Sequence, residues 1–285
     1  MKLSESTWEE IGIGTINSRE PRFITHLNYI KCLNNFSDSL NAKIKRFDKS
    51  DKKRSDKLAK KINLIKLIKK GLDEEYKMSK SDKESAEVFS IWIHVKSYYL
   101  IFNLFLVLDY LISPENNKEF NLTHKETMKK IKVLIKDSHL VFNKTEFNHL
   151  YKYVEVKDIK FLKGENLKEE QDWNKVSKCL IRKLFNYKIE ELKRENNFKN
   201  FKTKKAREKL REYLVSELTG FYEFFYWFRI KANYRDLEFL SNDVGSMQFY
   251  SYFENYYILT INFYEALKSL INELSKKRFN EEIIK

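Results

Sequence analysis

The chain has 285 residues, 42% hydrophobic and 15% aromatic, which is ample material for a large core and excludes extensive disorder. Six glycines and two prolines leave little of the turn chemistry that hairpins need, so a many-stranded sandwich or barrel is disfavoured and an all-α fold of long helices is expected. The formal charge of +14, from 55 Lys and Arg against 41 Asp and Glu, suits nucleic acid or another anionic partner; a Lys-, Ile- and Asn-rich composition set by genome base composition would give the same balance.

The opening MKLSESTWEEIGIG carries acidic residues where a secretory signal would place its apolar run, so no signal peptide is expected. A first helix should follow Pro21, whose fixed φ suits a first helical turn, and run through FITHLNYIKCLNNF to about residues 35–45. Residues 43–70 hold thirteen Lys and Arg against three Asp. Their second half is amphipathic, with Leu58, Ile62, Ile65 and Ile68 as one stripe and Gly71 as a plausible stop. Ser81 and Glu84 have capping-box spacing and should open a long helix ending at Ser113, before Pro114. Its uncharged run, Ser97 to Leu108, is twelve residues, too short for about 30 Å of hydrocarbon, so a buried helix and no membrane contact are expected.

Thr123 and Glu126 repeat the capping-box spacing and should open a shorter helix with Met128, Ile131 and Ile135 on its apolar face. Asn143 with Glu146 offers another start, covering FNHLYKYV. Residues 155–166 read as a connection marked by Gly164; helical patterns follow from Asn166 to about Asn197 and from Thr203 to about Ser241, with Gly220 as a possible bend. NDVG, Asn242 to Gly245, precedes a last helix reaching Lys277. Cys32 and Cys179 each fall in an expected helix without metal-ligand spacing, which suggests buried reduced thiols in a cytoplasmic protein. No metal or cofactor motif is present.

Lys96, Tyr99, Asn103 and Tyr110 share one face of the long helix and form a polar line on an apolar rod. Each buried polar group left unpaired costs about 1–3 kcal/mol, so partners should exist on another helix. FRIKANYRDLEFL offers them, with Arg229, Asn233 and Asp236 on one face, and a Lys96–Asp236 pairing would satisfy several groups at once.

The stretch KSYYLIFN, Lys96 to Asn103, resembles the second-helix signature of HEPN-domain proteins, in which a basic residue precedes a Tyr-Tyr pair and an aromatic-polar pair follows. RIKANY resembles the same family's Arg-x-Lys-Ala-Asp-Tyr segment, with Asn233 in the acidic position. NLTHKE is similar to the His-containing opening of the intervening helix, represented by His124. The matches occur in the family's order within short parts of residues 81–275, and the spacing between His124 and Arg229 implies an insertion. The division implied is an N-terminal helical region with a basic segment, residues 1–80, and a HEPN-like bundle, 81–285, with the insertion around 140–205.

The resemblance implies a helical bundle that often forms a homodimer, found in toxin–antitoxin, CRISPR and phage-defence systems, with an antitoxin or defence protein as further partner. Some members are metal-independent endoribonucleases; others bind nucleotides or partners. The ribonuclease form uses Arg, four to six residues, then His; here Tyr234 stands five positions after Arg229. Arg229, Asn233, Tyr234 and Asp236 are the implied catalytic group, facing Lys96, Tyr99, Asn103 and His124. Arg19 and His26 have the formal spacing, but in a chain this basic chance supplies such a match readily. His94 and His124 suit packing or capping roles as well as catalysis.

RNA binding has a second warrant in residues 194–212. Arg194, Lys199, Lys202, Lys204, Lys205 and Arg207 can neutralise phosphates, while Phe198 and Phe201 either stack on unpaired bases or dock in the core as a helix–helix turn. The leading expectation is a HEPN-like protein that binds or cleaves RNA. The alternatives are a non-catalytic helical interaction module and a helical DNA-binding protein.

Overall fold

The computed structural model describes residues 20–45, 47, 55–113, 120–161, 172–234 and 245–285. As expected, the fold is all-α, 75% helical with 4% strand, and eight α-helices lie among the described residues. They are α1 (Glu20–Ser37), α2 (Asp56–Ser81), α3 (Ser85–Ile112), α4 (His124–Lys136), α5 (Trp173–Glu195), α6 (Lys204–Ser216), α7 (Phe224–Tyr234) and α8 (Ser246–Phe279).

α3 is apolar on nearly all sides, the pattern of a helix surrounded by protein, and it is packed by α8, α2, α7 and α4. By length and composition it could cross a membrane, yet 72% of its most apolar window is buried inside the fold. α1 lies against α8 and α5. One continuous hydrophobic core runs from Phe23 to Ile284 and draws on both sides of residue 80, which itself lies within α2. Cys32 and Cys179 are not joined in a disulfide and are buried in that core.

Several boundaries differ from those expected. α2 continues through Gly71 to Ser81, and Ser81 Oγ donates back to the Met78 carbonyl at 2.9 Å rather than opening the next helix. Asp82 makes the turn instead, its Oδ1 accepting from Glu84 N at 3.0 Å before α3 begins at Ser85. The box at Thr123 and Glu126 forms as expected, and it fixes His124 as the first residue of α4. Asn143 opens no helix. Its Oδ1 accepts from Asn41 N at 2.8 Å and its Nδ2 donates to the Ser39 carbonyl at 2.9 Å, so the side chain is spent on a distant turn.

Around it lie two short antiparallel ladders in place of the expected helix. β1 (Ala42–Ile44) pairs with β2 (Leu140–Phe142), Ala42 opposite Phe142; β3 (Tyr151–Lys152) pairs with β4 (Leu218–Thr219), Tyr151 opposite Thr219. β4 and a 3-10 turn at Phe221–Glu223 break the expected Thr203–Ser241 helix into α6 and α7. Gly220 sits at the break, where a Cβ would come within 2.8 Å of the Tyr222 ring and 2.9 Å of Leu150, so a larger residue would have to displace one of those side chains.

Gly71 is the opposite case, a glycine inside a helix with nothing within 4 Å of where a Cβ would be. Gly71→Ala is expected to raise the unfolding free energy by about 0.5–1 kcal/mol, read as a higher urea midpoint with unchanged slope. A lower midpoint would contradict the placement of Gly71 in mid-helix.

Candidate functional site

Three segments far apart in sequence meet where α3, α4 and α7 adjoin. α3 supplies Tyr98 and Tyr99, α4 supplies His124 from its first turn, and α7 supplies Arg229. Tyr98 is four residues before Phe102, and the two rings stack at 5.6 Å, which turns the Tyr98 hydroxyl towards α4. There Tyr98 Oη and His124 Nδ1 share a hydrogen bond of 2.7 Å.

Arg229 is 7% exposed, and its guanidinium lies 4.7 Å from the Tyr98 ring centre, 5.8 Å from Tyr99 and 5.7 Å from Tyr226. Among the described residues no carboxylate pairs with it, and its Nε has no hydrogen-bond partner. A buried cation without an anion is costly, and the aromatic faces return only about 0.5–2 kcal/mol each. Burial, with the Arg229 charge added, pulls the His124 imidazole below its ordinary pKa, so the ring is neutral near pH 7. Burial pushes the Tyr98 phenol far up, and it stays protonated as a hydrogen-bonding partner for the histidine.

The expected polar line divides in two. Asn103 is 2% exposed and fully engaged: Lys61 Nζ on α2 donates to its Oδ1 at 3.0 Å, and its Nδ2 donates to the Tyr99 carbonyl at 2.6 Å. Burial lowers the pKa of Lys61. Lys96 pairs with Glu75, also on α2. Tyr110 stacks on Phe120 at 5.1 Å. Asp236 lies outside the described residues, as do Arg19, residues 242–244 of NDVG and the side chains of Asn233 and Tyr234, so the Lys96–Asp236 contact does too. The remaining histidines of the sequence reading are packed: His94 Nε2 shares a 2.6 Å hydrogen bond with Tyr252 Oη, and His26 lies edge-on to Phe228 at 5.0 Å.

A second cluster holds the two helices that carry His124 and Arg229. Lys188 of α5 and Glu223, immediately before α7, are each 4% exposed at the side chain and pair at 2.6 Å. Lys188 also pairs with Glu217 at 2.8 Å and donates to the Leu218 carbonyl at 2.9 Å. Lys132, two turns along α4 from His124, pairs with Glu217 and lies 3.8 Å from Glu223. Burial, with the neighbouring Lys132 charge, pulls the Lys188 amine below its ordinary pKa against the upward pull of Glu223 and Glu217. For Glu217 burial pushes upward, but Lys188 and Lys132 outweigh it and hold the carboxyl below its usual range. Sequence periodicity gave no sign of this cluster; its only trace was charged residues at positions where α5 otherwise buries its face.

In the basic segment, Arg194, Lys199, Lys202, Lys204, Lys205 and Arg207 are all exposed. The phenylalanines are not free platforms. Phe201 is 8% exposed, and Phe198 packs beside it at 6.1 Å against the core. Stacking on bases is therefore replaced here by docking of the turn between α5 and α6. Helical spacing from Lys96 did not point to Tyr98, one residue off that face, to Tyr226 near the start of α7, or to Lys61, which reaches Asn103 from a separate helix. No family model, curated protein or solved structure matches this chain.

Proposed function

We propose that this chain is a HEPN-like, RNA-acting protein of the cytoplasm, whose Arg229–His124 site binds single-stranded RNA and cleaves it without metal. The observation that carries the reading is the meeting of KSYYLIFN, NLTHKE and RIKANY at one buried cation that has no carboxylate partner among the described residues. Arg229 holds a phosphate and stabilises the charge that builds on it during reaction. With Nδ1–H donating to Tyr98 Oη, the neutral His124 keeps a lone pair at Nε2 to take the proton of a 2′-hydroxyl. The 2′-oxygen then attacks the adjacent phosphorus, the bond to the 5′-oxygen breaks, and that oxygen takes a proton from water. The histidine so employed is spatially beside the arginine, which supplies the pair that Tyr234 does not supply in sequence. A defence or toxin–antitoxin setting, with a homodimer or an antitoxin partner, follows from the same resemblance.

A non-catalytic interaction module is favoured by one observation, the complete pairing of Asn103 by Lys61 and the Tyr99 carbonyl, which is how an architectural polar contact looks. The two readings separate on His124. In EDTA, labelled single-stranded RNA is expected to be cleaved by the wild type and about 10²–10⁴-fold more slowly by His124→Ala with an unchanged circular dichroism spectrum. Intact RNA in every sample would leave only the architectural reading.

A further inference from the structure

Val88 and Trp92 are 59% and 54% exposed, although they belong to the most buried helix of the fold. They lie one turn apart, and Lys96 and Tyr99 continue the same face at positions four and seven residues beyond Trp92. That spacing sets Trp92 about 10 Å along the helix from Tyr99, whose ring borders Arg229 at 5.8 Å. Trp227, by contrast, is 4% exposed, so the fold buries a tryptophan where packing asks for one. The Lys96 side chain is 37% exposed and pairs with Glu75, which is 16% exposed, so the pair reaches solvent on the turn between Trp92 and Tyr99.

We propose that Trp92 is a base-stacking platform for single-stranded RNA, with Lys96 holding an intervening phosphate while the next one reaches Arg229. This rests on the RNA reading of the Arg229 site and names a subsite of it. Indole offers the largest stacking face of any side chain, and stacking on every base makes such a platform tolerant of sequence. An exposed tryptophan also suits a protein partner or a second copy of the chain. Charge decides between them: the exposed apolar pair runs on to Lys96, whose ion pair with Glu75 a phosphate would have to open, and to a guanidinium with no carboxylate partner among the described residues, in a chain of charge +14, and a polyanion with bases matches that charge.

The test measures affinity for a fluorescein-labelled twelve-residue oligouridylate by anisotropy in EDTA at fixed salt, with His124→Ala as the background so that the probe stays intact. Adding Trp92→Ala is expected to weaken binding about 5- to 100-fold, and Trp92→Phe to recover most of it. The dinucleotide UpU, too short to span both rings, should bind both forms alike. The residue is exposed, so folding is unaffected, and sedimentation velocity on the same samples reports oligomeric state. Unchanged oligouridylate affinity in Trp92→Ala overturns the platform while leaving the Arg229 site standing. A shift from dimer to monomer with RNA affinity intact overturns it in favour of a protein contact. Absence of RNA binding by the His124→Ala background and by the wild type removes both the platform and the reading beneath it.

Discussion

Lys188→Met is expected to lower the unfolding free energy by about 3–5 kcal/mol, the cost of leaving buried carboxylates without their cation. Glu223 is 4% exposed at the side chain and loses its 2.6 Å partner; Glu217 keeps only Lys132. The double variant Lys188→Met, Glu223→Gln should recover much of the loss, because the charge that would stay uncompensated is removed as well. Acid should act on the same cluster. The Glu217 carboxyl has a lowered pKa in the folded state, so its contribution is complete above the ordinary carboxylate pKa and is lost as pH falls through the folded value. Urea denaturation from pH 7 down to pH 3 checks both points. A Lys188→Met midpoint within error of wild type would contradict the central place given to this cluster.

Arg229→Gln carries the second large effect, and in a different quantity. Removing a group that stabilises developing phosphate charge is expected to cost about 10²–10³ in cleavage rate. The fold should lose little or gain, since the cation removed has no carboxylate partner among the described residues and gives up only ring contacts. His124 should answer too. Its pKa is lowered by burial and by the Arg229 charge, so in the variant it should move up towards the ordinary histidine value, shifting the acid limb of the pH–rate profile to higher pH. The imidazole proton resonances followed by NMR give that shift directly. Wild-type cleavage by a folded Arg229→Gln protein would sink the assignment.

The two buried cations explain each other by contrast. Lys188 has two carboxylates and a carbonyl around it, and its loss is a stability event. Arg229 has three tyrosine rings and no carboxylate among the described residues, and under the proposed function its loss is a binding and rate event. Their positions are connected: Lys132 ties α4 to the turn that begins α7, and these are the helices that carry His124 and Arg229.

Sequence revealed the parts of this arrangement that local chemistry dictates. Paucity of Gly and Pro and the long apolar run of α3 specify an all-α bundle, and the Thr123–Glu126 box fixes where His124 sits on its helix. The Asn143–Glu146 start failed because Asn143 found its partners a hundred residues away, at Asn41 and Ser39. The α6–α7 break was only half legible: Gly220 marks it, but the buried pairs of Glu217 and Glu223 that hold it open come from other helices. At the site, helical spacing put Lys96, Tyr99 and Asn103 on one face of α3 and could not say what stood opposite. Glu75 and Lys61 take Lys96 and Asn103. Tyr98, one residue off that face, is the side chain that joins His124 to Arg229.

The most direct measurement is the chemistry of the RNA ends. A defined single-stranded oligoribonucleotide incubated with the wild-type protein in EDTA and analysed by mass spectrometry should yield fragments with 2′,3′-cyclic phosphate and 5′-hydroxyl termini, as attack by the 2′-oxygen requires. The same sequence with 2′-deoxy sugars should remain intact. Intact RNA, or fragments with 3′-hydroxyl ends that form only when divalent metal is added, would contradict an Arg229–His124 ribonuclease centre.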